Sequence, residues 1–264
     1  MKISSPSNPK IKNLLKIQQK SKERISLNLS IIEGVKEIQM ALQGGHIVKE
    51  VFLCKEIFSA KNIFPPRTQI TEISTKVFKK LAYRKTTGGI IALCRPERLH
   101  LEKLKLPDRP LLLILDNIEK PGNLGAILRT AEAAGVDAVI LSDPKTDLSN
   151  PNVIRSSMGT IFTMTIIMET AEKTISWLKK NNIRILATAL DKNTKDLYRT
   201  DIKTAAAIVM GTEDLGLPDH WLKAADEKIQ IPMRGKIDSL NLSNATSVII
   251  FEALRQRYHK FPTP

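Results

Sequence analysis

The stretch "LLLILDNIEKPGNLGAILRTAEAAGVDAVILSD", residues 111–143, places a helical pattern between two short apolar runs. The runs "LLLILDNI" and "DAVILSD" are almost continuously apolar, which is typical of strands buried on both faces. Between them, apolar residues recur at the spacing of a helix stripe: Leu124, Ile127, Leu128, Ala131 and Ala134. A strand, a helix and a second strand in this order predict a parallel sheet with a crossover helix.

The same alternation continues to the end of the chain. Further apolar runs follow at "FTMTIIM", "IRILATALD", "AAIVMGTED" and "EKIQIPM", and "TAEKTISWLKKNN" has a helical pattern. The predicted fold class is therefore α/β, with a mostly parallel sheet in the C-terminal part and helices on both of its faces.

Charge and length divide the chain into two parts. The protein has 264 residues and a net charge of +14. Residues 1–100 contain 19 Lys and Arg against 7 Asp and Glu, so they carry +12 of that charge. Such an excess favours a nucleic-acid partner over a surface that is basic only for solubility. We predict a small basic α/β domain over residues 1–97, a linker over 98–110 and a second domain over 111–264.

Composition also argues against several classes of protein. The two cysteines, Cys54 and Cys94, and the four histidines have no metal-ligand spacing, so we expect no metal site. We expect both cysteines to be buried thiols. The start "MKISSPSNPK" has no apolar signal region, and no apolar run approaches the length of a membrane span. We expect a soluble, cytoplasmic protein without a membrane partner.

Ligands of parallel sheets bind at the loops that follow the strands, and three of these loops are unusual. In the first, Pro121-Gly122-Asn123 predicts a tight turn before a helix, and Arg129 interrupts the apolar stripe of that helix. Taken alone, Asn123 is most simply a helix N-cap and Arg129 a surface residue. Both side chains can reach one ligand only if Arg129 extends back along the helix axis.

The second loop is "MGTEDLGLP", residues 210–218, where Glu213 follows a buried strand. A carboxylate in that place is costly unless a cation or a hydrogen-bond donor meets it, although an ordinary acidic turn is the alternative.

The third loop, "IPMRGKIDSLNLSNAT", residues 231–246, precedes the helical pattern "SVIIFEALRQR". Either Ser239 or Ser243 can cap that helix, which leaves Asn241 and Asn244 for other roles. Apolar residues beside these polar groups are typical of a small-molecule pocket.

These three segments together resemble the three successive signatures of the SpoU family, RNA 2′-O-ribose methyltransferases of the SPOUT class. The matching positions are Asn123, Ala126 and Arg129-Thr130-Ala131; Gly211, Glu213 and Gly216; and Ile231-Pro232-Met233 with Ser239-Leu240-Asn241-Leu242-Ser243-Asn244-Ala245. In the first hundred residues, "NPKIK", "IIEG" and "GGIIAL" resemble the substrate-binding domain of family members that act on ribosomal RNA.

The resemblance implies a deep C-terminal trefoil knot, S-adenosyl-L-methionine as cofactor, a homodimer, and methyl transfer to a ribose 2′-hydroxyl, with large-subunit ribosomal RNA favoured over transfer RNA. It assigns catalysis to Arg129, Asn123, Glu213, Ser239 and Asn241. It assigns cofactor binding to Gly211, Ile231, Met233, Leu240, Thr188 and Ser243. We interpret Arg129 as a phosphate clamp rather than as the proton acceptor, because a guanidinium does not readily lose its proton.

Three alternatives stay open on the sequence alone. One is a transfer RNA ribose methyltransferase, the second is a non-catalytic RNA-binding or assembly factor that retains the fold, and the third is methylation of a base. For Tyr83, in the basic domain, we favour packing within its own domain over stacking on an RNA base.

Overall fold

The computed structural model describes residues 2–60, 64–66, 68–83, 88–191 and 193–258. None of the helices in these ranges has the length and the apolar character needed to cross a bilayer. The chain forms two compact units. The first comprises Met1–Glu97 and Asp147–Thr163, and the second comprises Arg98–Thr146 and Met164–Pro264.

The first 97 residues contain both helices and strands. In chain order they are β1 (Lys2–Ile3), α1 (Pro9–Gln19), α2 (Ser21–Leu27), β2 (Ser30–Glu33), α3 (Val35–Gln43), β3 (Ile47–Leu53), β4 (Gln69–Ile73), α4 (Thr75–Leu81) and β5 (Ile90–Arg95). The strands form a mixed sheet in the order β1-β4-β3-β5-β2, in which β5 is antiparallel to both of its neighbours. Cys54 and Cys94 are buried free thiols, as predicted.

The later elements begin after a 3₁₀ helix at Leu101–Lys103. They are β6 (Leu111–Asp116), α5 (Pro121–Ala133), β7 (Ala138–Ser142), α6 (Pro151–Ser156), β8 (Ile166–Glu169), α7 (Ala171–Lys180), β9 (Arg184–Thr188), β10 (Lys195–Asp196), β11 (Ala206–Met210), α8 (Asp219–Ala224), β12 (Glu227–Gln230) and α9 (Leu242–Arg257). Two further 3₁₀ helices lie at Thr160–Phe162 and Leu197–Arg199.

The second unit contains a seven-stranded sheet in the order β10-β12-β9-β11-β6-β7-β8, and all of its strand pairs are parallel. Every residue of β6, β7 and β11 is buried, so the continuous apolar runs of these strands are covered on both faces. The predicted stripe of α5, from Leu124 to Ala134, is buried as well. The prediction of an α/β fold with a mostly parallel sheet is confirmed.

For two segments, the unit to which the structure assigns them differs from the predicted domain range that contains them. Residues 98–110, predicted as a linker, belong to the second unit, where Leu101 is buried and Leu99 bridges to Ile167. Asp147–Thr163 belongs to the first unit, although it lies within the range 111–264. The ranges themselves remain a prediction, as does the trefoil knot.

Candidate active site

The site lies beside β6, where the strand order of the sheet reverses. From β6 the chain continues to β7 and β8 on one side, whereas β11 and the remaining strands lie on the other side of β6. Adjacent strands whose connections leave in opposite directions open a crevice at their carboxyl ends. The loops after β6 and β11 border this crevice, so residues that are about ninety positions apart become neighbours.

The end of β6 is fixed by a buried carboxylate. Asp116 Oδ1 accepts hydrogen bonds from Trp221 Nε1 and Ser142 Oγ, both at 2.8 Å. Its Oδ2 accepts from Asn117 Nδ2 at 2.7 Å. A buried carboxylate that accepts three hydrogen bonds holds the backbone firmly at this point. The start of α5, five residues further along at Pro121, is therefore held in place.

Asn123 is not the N-cap of α5, and the predicted tight turn at 121–123 is instead the first turn of the helix. The helix begins at Pro121, and Lys120 is its cap residue without a capping side chain. Proline is favoured at the first helical position because it has no N–H to leave unpaired, and this moves the start of the helix ahead of Asn123. The Asn123 side chain is thereby free to donate its Nδ2 hydrogen to Glu213 Oε1 at 2.9 Å.

Glu213, in the second loop, forms hydrogen bonds and an ion pair with residues of the first and third loops. Its Oε1 accepts from Asn123 Nδ2, from Asn241 Nδ2 at 2.6 Å and from the Leu242 backbone N–H at 3.2 Å. Its Oε2 pairs with the Lys120 ammonium. The ion pair with Lys120, followed by the Leu242 hydrogen bond, lowers the pKa of Glu213. Glu213 therefore remains an anion at neutral pH and serves as a hydrogen-bond acceptor rather than as a proton acceptor.

The cap of α9 is Asn241, and neither Ser239 nor Ser243 takes this place. Asn241 Oδ1 accepts from the Ser243 N–H at 3.1 Å and from Ser243 Oγ at 2.7 Å. Ser239 lies two residues before the cap, and its hydroxyl donates to Asp238 Oδ1 at 3.0 Å. The contacts of Asn241 and Leu242 with Glu213 fix where the helix begins, and this selects the cap among neighbouring polar residues.

A cavity of about 470 Å³ opens beside these contacts, a size that suits a small-molecule ligand. The loops after β9, β11 and β12 and the entrance of α9 form its walls. Of the candidate residues, seven line it: Thr188, Gly211, Glu213, Ile231, Met233, Ser239 and Leu240. Thr188 Oγ1 donates to the Val209 carbonyl at 2.9 Å, which fastens β9 to β11 at the edge of the cavity.

Four candidate residues do not line the cavity. Asn123 and Asn241 are joined to it through Glu213, and Ser243 supports Asn241. Arg129 is exposed on α5 and has no hydrogen bond or ion pair with any residue that the structure describes. The helix that carries it is tied to α9 by the hydroxyls of Thr130 and Ser247, 3.2 Å apart. Arg129 is therefore a cation without a partner among the described residues, on a helix that is held in place.

The sequence pattern did not identify several polar residues of the site. They are Lys120, Asp191, Asp214, Gln230 and Asp238. Asp191 Oδ2 forms an ion pair with Lys228 Nζ at 2.7 Å, and this contact lowers the pKa of the Asp191 carboxyl. A sequence signal existed only for Lys120, the last residue before the proline that opens α5.

The cavity suits a cationic organic ligand better than a metal ion. Its walls combine apolar side chains such as Leu222 and Ile249 with the carboxylates of Asp191, Asp214 and Asp238, which favour positive charge. Within the described ranges, no group of three or more His, Cys, Asp or Glu side chains is placed to hold a metal ion.

Acid should weaken ligand binding through Glu213. A carboxyl whose pKa is lower in the folded protein contributes stability above its unfolded pKa and loses it as the pH falls through the folded value. We expect the affinity for the cofactor that the family signatures imply to be constant near neutral pH and to fall only as the pH drops through the lowered pKa of Glu213, which lies below its ordinary value of 4.5. Calorimetric titration of wild type and Glu213→Gln across this range measures the effect.

The variant Glu213→Gln should lack most of this acid-dependent loss, because its side chain does not titrate. Glu119→Gln is the matched control, since Glu119 is an exposed carboxylate whose one ion pair among the described residues is with Lys145 at 2.6 Å. The role of Glu213 is contradicted if Glu213→Gln and Glu119→Gln both follow the wild-type pH profile.

Comparison with protein families and known structures gives consistent matches. Residues 110–251 match the model of the SpoU rRNA Methylase family, and residues 8–92 match the MRM3-like substrate binding domain. The 23S rRNA (guanosine(2553)-2′-O)-methyltransferase RlmP of Bacillus subtilis is 30% identical over 249 residues, which cover 94% of this chain and 97% of that protein.

Two solved structures are similar over nearly the whole chain. A crystal structure of an RNA 2′-O ribose methyltransferase is 35% identical with a TM-score of 0.83, covering 97% of this chain and 99% of that one. An AdoMet-bound rRNA methyltransferase from Sinorhizobium meliloti is 27% identical with a TM-score of 0.87, covering 97% of each chain.

Proposed function

The chain belongs to the SpoU rRNA methylase family, and on that premise we propose that it transfers a methyl group from S-adenosylmethionine to a ribose 2′-hydroxyl of large-subunit ribosomal RNA. The observation that carries the proposal is the convergence of the three signature loops on Glu213, beside a cavity of about 470 Å³. Residues 110–251 supply the catalytic domain, and residues 8–92 supply the domain that binds the RNA.

The cavity residues fit the methyl donor. Gly211, Ile231, Met233 and Leu240 are assigned to its apolar and backbone contacts, and Thr188 lies at the cavity edge. Ser243 is assigned an indirect part, because its hydroxyl orients the cap residue Asn241. S-adenosylmethionine, when bound, supplies a methyl group on a positively charged sulfur that leaves readily. The carboxylates of Asp191, Asp214 and Asp238 balance positive charge in this cavity.

The task of the protein is to activate the other partner, a ribose hydroxyl that is a weak acid. The reaction needs the 2′-oxygen held in line with the methyl group, and the proton that this oxygen loses as it attacks passes to solvent water. Ser239 lies at the cavity wall, and its hydroxyl is already oriented by Asp238, so we assign it to hydrogen-bond the ribose. Asn123, Asn241 and Glu213 form the rigid frame that holds these loops.

Arg129 is assigned to the RNA backbone. Its guanidinium is exposed and not engaged by any described residue, which leaves its planar group of donors free for a phosphate. A phosphate held by two parallel hydrogen bonds fixes the adjacent ribose, so the clamp acts on the geometry of the 2′-hydroxyl. Proton acceptance by Arg129 is not needed in this assignment.

Ribosomal RNA is favoured over transfer RNA because the relative that matches along nearly the whole chain acts on 23S rRNA. Three further assignments belong to the proposal through the family resemblance: a homodimer, a cytoplasmic location and the trefoil knot. Two half-exposed aromatic side chains support the proposed dimer, because they leave apolar surface for a second subunit to cover. They are Phe251 on α9 and Tyr258 just after it. Sedimentation equilibrium tests the dimer.

The deciding experiment is methyl transfer from radiolabelled S-adenosylmethionine to total RNA from a strain that lacks the protein. We expect label in large-subunit ribosomal RNA and one phosphodiester bond that resists alkaline cleavage, because a methylated 2′-oxygen cannot attack its phosphate. Label without a resistant bond indicates base methylation. Cofactor binding without any label indicates a non-catalytic RNA-binding protein.

A further inference from the structure

A second cavity, of about 440 Å³, lies within the first unit, away from the site described above. It is bordered by α1, α2, the end of α4 and the start of α6. Its volume is within the range that holds a small organic ligand such as a nucleotide. Most of its lining side chains are polar, and it lies in the part of the chain that carries most of the positive charge.

Tyr83 presents a fixed aromatic ring to this cavity. Its hydroxyl donates to Asn152 Oδ1 at 2.8 Å, and its backbone N–H donates to Glu33 Oε1 at 2.6 Å. The residue is nevertheless 47% exposed. A ring held at both ends loses little freedom when a planar group stacks on it, so the cost of binding is low.

The cavity floor is also rigid. Arg24 is only 4% exposed, and its Nε donates to Asp147 Oδ2 at 2.6 Å. Its Nη1 donates to the carbonyls of Ile17 and Gln18, at 2.9 and 2.6 Å. These bonds join the segment before α6 to α1, so the walls are already in place without a ligand. Because its side chain is buried and its Nε and Nη1 already donate to these partners, Arg24 is a structural element here, and we do not assign it to a phosphate.

Three other polar side chains that line the cavity have hydrogen-bonding groups without a partner among the described residues. Lys80 and Gln19 are exposed and make no side-chain hydrogen bond or ion pair within the described part of the chain. Asn150 uses its Oδ1 to cap α6 and leaves its Nδ2 hydrogens without a described partner. An ammonium suits a phosphate, and side-chain amides suit the donor and acceptor groups along a base edge.

We propose that this cavity binds one unpaired nucleotide of the ribosomal RNA substrate. The base stacks on Tyr83, its edge faces the amides of Gln19 and Asn150, and a neighbouring phosphate meets Lys80. Recognition of RNA by stacked, unpaired bases is the usual route to sequence preference. The proposal rests on the proposed function, since it places part of the substrate. It concerns RNA affinity and not the methyl-transfer chemistry.

The test compares Tyr83→Leu, Tyr83→Phe and Lys80→Gln in the full-length protein. The probe is unmodified 23S ribosomal RNA transcribed in vitro. Its filter-binding affinity is measured at several salt concentrations, and methyl transfer is measured over a range of RNA concentrations up to saturation, which gives KM and kcat separately. We expect Tyr83→Leu to bind about tenfold more weakly and Tyr83→Phe to bind within about twofold of wild type, because the phenyl ring still stacks. Lys80→Gln should reduce the slope of log affinity against log salt by about 0.7. For all three variants KM should carry the change, and kcat should stay the same.

Matched controls distinguish the cavity from the general surface. Tyr198→Leu removes a tyrosine of similar exposure in the second unit, and Lys49→Gln removes an exposed lysine that does not line the cavity. The proposal is overturned if Tyr83→Leu binds like wild type, if it lowers kcat at unchanged KM, or if Lys80→Gln and Lys49→Gln change the salt slope equally.

Failure of the proposed function gives a different result, because the wild type itself then transfers no methyl to this RNA. The exposed positions of Lys80 and Lys49 make both Gln variants safe for folding, so the test remains decisive if Tyr83→Leu is unstable. Thermal melting of each variant identifies such a case.

Discussion

Replacing Arg129 by alanine should lower the rate of methyl transfer by about 10²- to 10³-fold, the typical cost of removing one positioned hydrogen-bond donor from a catalytic site. S-adenosylmethionine affinity should stay within about twofold of the wild-type value, because Arg129 does not line the cavity. Single-turnover methylation of 23S ribosomal RNA measures the rate, and calorimetric titration measures the affinity.

Two variants sharpen this test. Arg129→Lys keeps the charge but loses the planar pair of donors, so it should recover only part of the rate. Arg199→Ala removes another exposed arginine of the second unit that does not line the cavity and should change neither quantity. The clamp assignment is wrong if Arg129→Ala loses cofactor affinity by the same factor as it loses activity.

Replacing Gly211 by alanine should weaken S-adenosylmethionine binding by roughly tenfold or more. A Cβ at this position would lie 2.3 Å from the carbonyl carbon and oxygen of Gly216 and 2.6 Å from the Leu217 nitrogen. All three are backbone atoms, so the loop that carries Glu213 must move. Overpacking of this kind typically costs about 1–3 kcal/mol of stability, and the shift deforms the cavity wall directly.

The same substitution at Gly122 is the control. A Cβ there meets nothing within 4 Å, and Gly122 lies in the first turn of α5, where alanine is the better helix former. Gly122→Ala should therefore bind S-adenosylmethionine normally and melt at the same temperature as wild type or slightly higher. Equal affinity of Gly211→Ala and Gly122→Ala for the cofactor would show that the close approach of the Gly216 backbone does not shape the site.

Much of the fold was predictable because burial imposes a simple pattern. Strands covered on both faces are apolar at nearly every position: β11 is apolar throughout, and β6 and β7 are apolar except at their last residues, Asp116 and Ser142. This pattern is visible without knowledge of the neighbouring strands. The two-residue strand β10 was missed, because an edge strand with an exposed lysine has no such pattern. The placement of Asp147–Thr163 with the first unit also has no local signal.

The candidate site was only partly predictable. Family signatures indicated which loops matter, and the position of Glu213 just after a buried strand indicated that its carboxylate required a partner. The partners themselves, Lys120 and Asn123, lie 93 and 90 residues away in the chain. The prediction that Asn123 caps α5 was wrong. Capping rules use only neighbouring residues, whereas the Asn123 side chain bonds to Glu213 in a distant loop.

The sequence by itself determined the elements, the parallel sheet and the presence of three polar loops at strand ends, since each depends on residues close together in the chain. Only the tertiary structure decided which side chains meet. Hydrogen bonds act over about 3 Å, and which groups come that close is set by the strand order that places β11 beside β6. That order gives Glu213 its partners, selects Asn241 as the cap of α9 and leaves Arg129 exposed on α5, with no partner in the described part of the chain.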